Sequence, residues 1–230
     1  MGTNTPLNER EFQLAHETAE WRLIAVLLEC PSDSWRTQVR ALAKEVGDPE
    51  LKAAAESAQQ EADEGLFHYT FGPGGPAPAR EATYHLTVEL GYLMSELQSF
   101  YNAFAFHPRT EEAPDHVAVE TGFVAYLKLK ELYALRCGDQ GRATTAAEAV
   151  KLFITDHLSN VAEPLCGRLR DSGIDYLSRA ASALAIRVGP PARAPSPLPI
   201  LQGTDAEEEF GCGTASHEVG KSQSRTEIQV

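Results

Sequence analysis

Four absences narrow the reading of this sequence before any motif is considered. Basic residues are in deficit: 20 Lys and Arg against 33 Asp and Glu leave a net charge of −13. Binding a phosphate backbone needs a basic face, so nucleic acid is excluded as a partner, and so is electrostatic attachment to an anionic membrane surface. Long apolar runs are missing. No stretch reaches the ~18 apolar residues of a membrane span, and the first ten residues lack the basic-then-apolar pattern of a secretory signal, so neither membrane insertion nor export is expected. Cysteine is scarce: Cys30, Cys137, Cys166 and Cys212 include no Cys-x-x-Cys pair. That spacing disfavours both a zinc site and a disulfide framework and fits reduced thiols in a cytoplasm. Strand patterning is the fourth absence, for no segment alternates apolar and polar residues and no repeat of about 20–50 residues is visible.

What is there is helical. Phe12, Ala15, Ala19, Leu23, Val26 and Leu27 follow the helical period over residues 8–29, with Phe12 on the inner face. A second helix carries Trp35, Val39, Leu42 and Val46. Residues 49–63, rich in Ala, Glu and Gln, read as a peripheral helix begun by Pro49. From Leu66 to Tyr84 the aromatic residues give way to three glycines and three prolines, which reads as a loop with its aromatics tucked inward. Its glycines lack the Gly-Lys-Ser/Thr of a phosphate loop. Leu86, Leu90, Leu93, Leu97 and Phe104 mark a helix over 85–106. Further helices are expected from Pro114 to near Gly138, over 143–157, around Pro164 to Gly173, and over 174–188. The fold class is therefore all-α, a single globular domain of about eight helices over residues 1–188. Five prolines between 190 and 199 and the acidic run Glu207–Glu209 then mark a Pro-rich linker and disordered tail over 189–230.

The stretch Glu112-Ala-Pro-Asp-His-Val-Ala-Val-Glu120 opens the longest apolar helix. Pro114 suits a first helical turn, Asp115 suits the positive end of the helix dipole, and His116 in the same turn should resist protonation. Gly122 costs that helix about 1 kcal/mol relative to Ala, which a close approach by a neighbouring helix would explain. His116 and Glu120 are four apart and share a face, so a helical metalloprotein or enzyme using them with a third histidine (His85, His107 or His157) is one alternative, and a generic helical adaptor is another. No Gly-x-Ser-x-Gly or comparable nucleophile motif is present. In the tail, Cys212 with His217 makes only a weak metal or redox pair.

Glu112 to Glu120, followed by Phe123 and Tyr126-Leu127, resembles the signature of the TorD/DmsD/NarJ chaperones, which mature complex molybdenum enzymes. Tyr69-Thr-Phe-Gly-Pro-Gly-Gly with Glu81 and Tyr84 resembles the loop before that family's central helices. Phe153-Ile-Thr-Asp-His-Leu158 resembles its second histidine motif, and residues 174–187 its closing helix. Thr121-Gly122 stands where Leu-Glu is usual, Val124 where Met is usual, and Val161 where a Trp often follows. The resemblance implies a TorD-like, non-catalytic cytoplasmic chaperone with no cofactor of its own. Its partner would be the catalytic subunit of a molybdopterin-dependent oxidoreductase, bound through a twin-arginine leader or the mature part, with the molybdopterin carried by that client. The residues it brings forward for client binding are Asp115, His116, Glu120, Pro114, Tyr69, Phe71, Tyr84 and His157, with the 69–84 loop as a mobile rim.

Overall fold

The structure, a computed structural model, describes residues 6–85 and 88–190. Leu86 and the tail beyond 190, including Cys212, lie outside the described residues. Among the described residues nine α-helices follow one another: α1 (Glu9–Leu27), α2 (Trp35–Glu45), α3 (Pro49–Glu61), α4 (Glu64–Phe71), α5 (Leu90–Ala103), α6 (Val117–Arg136), α7 (Gln140–Phe153), α8 (Ser159–Asp171) and α9 (Asp175–Val188). A 3-10 turn occupies Glu81–Tyr84. A π turn, Ile154–Leu158, carries α7 into α8 without a break, so the expected number of helical rods is met. Among the described residues no strand forms; a lone antiparallel bridge pairs Arg80 with His116.

Local chemistry sets the helix ends. Asn8 and Glu11 form a reciprocal capping box at the start of α1. Asp48, Asp63 and Asp139 accept backbone N–H groups at the starts of α3, α4 and α7. At the other end of α3, Arg36 donates to the carbonyls of Ala58, Gln59 and Ala62, supplying a cation where the helix presents unpaired acceptors. Gly189, at φ 79°, closes α9.

The core is organised on α6. Helices α1 and α7 pack along it, and of Val117–Leu127 only Gly122 and Tyr126 are not fully buried. That accounts for the apolar residues found all around its first half. Phe123 sits at the centre of a ring cluster with Phe100, Tyr101, Phe106 and Phe153, at centroid separations of 4.8 to 6.5 Å. The indole of Trp35 donates to the Val26 carbonyl at 2.6 Å and fixes α2 against the end of α1.

Several expectations need correcting. Helix α3 is not peripheral: Leu51, Ala54, Ala55 and Ala58 are buried and it packs on α9, whose hidden face carries Ala180, Ala181 and Ala183. Small side chains on both helices permit that approach. Phe12 is not in the core but more than half exposed, stacked edge-on against His16. The aromatic half of the 66–84 segment is helix α4, not loop. Helix α5 begins at Leu90, five residues later than expected. Pro164 lies within α8, as its position in the sequence allows, and that helix begins at Ser159.

Candidate functional site

The Gly-Pro segment after α4 is built for tight folding. A Cβ on Gly72 would lie 2.2 Å from the His68 carbonyl oxygen, and one on Gly75 would lie 2.4 Å from that of Thr70, so neither position admits a side chain. The chain turns on the bond from Gly75 N–H to the Gly72 carbonyl (2.9 Å), and Ala77 N–H returns to Thr70 (3.2 Å). The Tyr84 hydroxyl donates to the Pro78 carbonyl at 2.6 Å. Two further bonds stitch this segment to the residues before α6: Glu81 N–H to the Asp115 carbonyl and Val117 N–H to the Ala79 carbonyl, both 2.8 Å. The expected mobile rim is thus a fastened segment, with Thr70, Ala77, Ala79 and Glu81 buried.

Asp115 is fully buried. Its carboxylate takes Arg80 Nε and Nη2, each at 2.8 Å, and lies 3.4 Å from Ala82 N–H. Because that carboxylate faces Arg80, His116 caps α6: its Nδ1 accepts Ala118 N–H at 3.2 Å. The helix therefore starts at Val117, and Pro114 and Asp115 precede it, contrary to expectation. Burial, then the nearby Arg80 charge, pushes His116 down to about 4, so it stands as a neutral cap against the rings of Phe67 and Phe71. Its resistance to protonation holds, but burial is the cause. The Tyr101 hydroxyl donates to the Pro114 carbonyl at 2.8 Å, tying α5 to the same point.

Behind this lies a second carboxylate centre. Glu81, also fully buried, accepts His85 Nε2 at 2.7 Å, His157 Nδ1 at 3.1 Å and Asn160 Nδ2 at 3.4 Å. Burial alone would raise its carboxyl, but bonds and charge from His157 and His85 outweigh burial and hold it below its ordinary value. Glu120 is its opposite. Both its oxygens are buried without a hydrogen-bond partner, and burial, followed by the charges of Glu81 and Asp115, raises it well above a normal carboxyl. The π turn delivers His157 to this centre; such one-turn expansions recur at functional positions. Nδ1 of His157 must carry the proton, because an ionised Glu81 can only accept. Its ring packs against Phe153 and Phe100 at 4.8 and 5.5 Å.

Asp115, His116, Glu120 and His157 are therefore brought together in one closed junction, out of a partner's reach in this conformation. Pro114, Phe71 and Tyr84 are half-buried at its edge, while Tyr69 stands 70% exposed. His85 and His157 converge on Glu81, not on His116, and His107 lines a different cleft. Among the described residues no group of three or more His, Cys, Asp or Glu side chains is set to hold a metal ion.

Directly outside the junction runs an open apolar groove of about 770 Å³ between α5 and α7, lined by Phe100, Ala103, Phe104, Ala149, Leu152 and Thr155 among others. Phe100 belongs to both regions, touching His157 on one side and the groove on the other. A second cleft, about 540 Å³, lies between α1, α6 and residues 105–110. Gly122 borders it. A Cβ there would meet Arg22 Nη1 at 3.7 Å and Ala25 Cβ at 3.8 Å, ordinary contacts, so α1 does come close but does not require glycine. Sequence reasoning misses Arg80, Asn160, Phe100 and Leu152 as parts of this region. Only the position of Arg80 next to the quoted Glu81 offers a hint.

Residues 32–167, more than half of the chain, match the family described as nitrate reductase delta subunit. The matched span includes α4, the fastened segment, α6 and the π turn, and hence every member of the junction. Comparison with curated proteins returns no match.

Proposed function

Because the chain belongs to the nitrate reductase delta subunit family, the NarJ/TorD-like chaperones of molybdoenzyme maturation, we propose that it binds the apo catalytic subunit of a molybdopterin-dependent oxidoreductase in the cytoplasm. It assists cofactor insertion and assembly and delays export until both are complete. The molybdopterin belongs to the client, and the chaperone contributes no catalysis.

The observation that carries this reading is the apolar groove between α5 and α7, with Leu152 half exposed along it. An amphipathic segment laid into a groove is an established mode of peptide recognition. A surplus of acid over base in the chain favours a client segment rich in Arg or Lys, as a twin-arginine leader is. Among the motif residues, direct contact is assigned to the exposed Tyr69, with Phe71, Tyr84 and Pro114 as edges. Asp115, His116, Glu120 and His157 act from behind, holding the 79–85 segment and Phe100 in place.

Co-purification of the tagged chain from its native host tests this. A molybdopterin oxidoreductase catalytic subunit is the expected capture: a precursor with its leader supports leader binding, and a leaderless apo-subunit supports binding to the mature part. Capture of only unrelated proteins overturns the reading.

A further inference from the structure

The cleft between α1, α6 and residues 105–110 serves neither the junction nor the groove. Its volume is about 540 Å³, within the range of small-molecule sites, roughly 300–1,000 Å³. Ala105, at φ 53°, turns the chain out of α5. The Tyr126 hydroxyl reaches the carbonyls of Phe104 and Ala105 at 3.1 and 3.3 Å, which pins this segment to α6 along one wall of the cleft.

Packing gives Gly122 no reason to be glycine. It lies in the middle of α6, where glycine costs about 1 kcal/mol relative to Ala, and a Cβ there would meet ordinary contacts only. What a Cβ would take up is room in the cleft. It would stand 3.7 Å from Arg22 Nη1, beside a guanidinium that also lines the cleft. Backbone left bare in this way admits the close approach of a ligand. Phe106 and Tyr126, with ring centroids 5.2 Å apart, line the same space and supply flat apolar surface.

The polar part of the lining is cationic, in a chain whose net charge is −13. Arg22, His107 and Arg109 face Glu29 alone among the lining carboxylates. Glu29 takes Nη1 of Arg22 at 2.8 Å, and the rest of that planar fork has no partner among the described residues. Neither His107 nor Arg109 has a hydrogen bond or ion pair among the described residues. The Thr110 hydroxyl accepts the Glu112 N–H at 3.2 Å and keeps its own proton to donate. Arg22 and Arg109 against Glu29 leave one positive charge, which a single carboxylate matches and a phosphate dianion exceeds. Glu111, next along the chain from Thr110, adds to the cost of a second negative charge.

We propose that this cleft binds a small aromatic monocarboxylate, with its ring against Phe106 and the bare backbone of Gly122 and its carboxylate taken by Arg22 and Arg109. A guanidinium fork matches a carboxylate in shape as well as charge. The site is separate from the groove and does not depend on what the groove holds.

2-Naphthoate, a carboxylate on a flat double ring, is the probe. Titrated at neutral pH into the full-length chain labelled with nitrogen-15, it should shift the amides of Thr110, Val119, Gly122 and Ala125 saturably and leave those of Ala149 and Leu152 in the groove unmoved. 2-Naphthamide, of the same shape without the charge, should bind about tenfold more weakly, and 2-naphthyl phosphate should bind no better than the carboxylate. Arg109→Ala, at an exposed position, should weaken 2-naphthoate by about tenfold. Gly122→Ala should weaken it by about threefold; because that variant keeps its stability, its loss of binding is not a loss of fold. Equal affinity for acid and amide overturns the anion, and tighter binding of the phosphate overturns the monoanion. Wild-type affinity in Gly122→Ala overturns the seat given to the ring. Shifts confined to the groove, or none in the millimolar range, overturn the site itself.

Discussion

The junction and the groove share Phe100 and differ in nearly everything else. The junction is closed, polar and built from the residues most recognisable in the sequence: Asp115, His116, Glu120 and His157, all buried. The groove is open and apolar, and its lining of Phe100, Ala103, Phe104, Ala149 and Leu152 contains none of them. The most recognisable residues are thus the least accessible ones. Buried polar groups are demanding, since each needs a specific partner in a specific place, whereas an apolar lining asks only for bulk and shape. A motif marks the first kind of requirement far more sharply than the second.

The junction is expected to govern stability and the groove to govern capture. The largest stability effect is expected from Glu81→Ala, which leaves the donors of His85, His157 and Asn160 facing a void. Loss of about 4 kcal/mol in chemical denaturation is the expected result. Acidification comes next. His116, neutral in the fold because burial and Arg80 hold it at about 4, should withdraw as much as ~3 kcal/mol as pH falls from 6.5 to 4. His116→Gln should flatten that part of the stability–pH curve. Asp115→Ala removes the acceptor of two charged hydrogen bonds at 2.8 Å and should cost about 2 kcal/mol, with Arg80 left to solvent. Gly122→Ala should act in the other direction, raising stability by about 1 kcal/mol, because the added methyl finds ordinary contacts only.

Smallest in stability, and most informative for function, is the pair Ala103→Glu with Leu152→Glu, both exposed groove positions. Their melting temperature should stay close to the wild type, equivalent to less than ~0.5 kcal/mol each, while capture of the catalytic subunit is lost. The comparison breaks if a junction variant at unchanged stability abolishes capture, or if the groove pair unfolds the protein.

Apolar periodicity makes the all-helical fold legible, and the central place of α6 follows from apolar residues on every side. Helix α3 escapes that reading because alanine adds little to an apolar pattern; its value here is the close approach of α9. Helix α4 is eight residues long, too short for a period, although Asp63 marks its start. The rule that places proline in a first helical turn points to Pro114, and the true start at Val117 depends on Arg80 claiming Asp115 from 35 residues away. The pairing of Glu81 with His157 spans 76 residues. Nothing local to either residue announces it, so their shared junction emerges only from the folded chain. The family resemblance names Asp115, His116, Glu120 and His157 together without indicating that they face inward.

One consequence of the π turn concerns length, not composition. Deleting a single residue from a packed helix ordinarily rotates everything downstream by about 100°. At Ile154–Leu158 one surplus residue is already absorbed in a widened turn. Removing Thr155 would let α7 and α8 fuse as a regular helix, with Phe153 before it and Leu165 and Leu169 after it still in register. The damage would fall on His157, drawn away from Glu81. This is a place where the chain can be shortened by one without scrambling its core, and where the shortening would act as a point mutation in the junction.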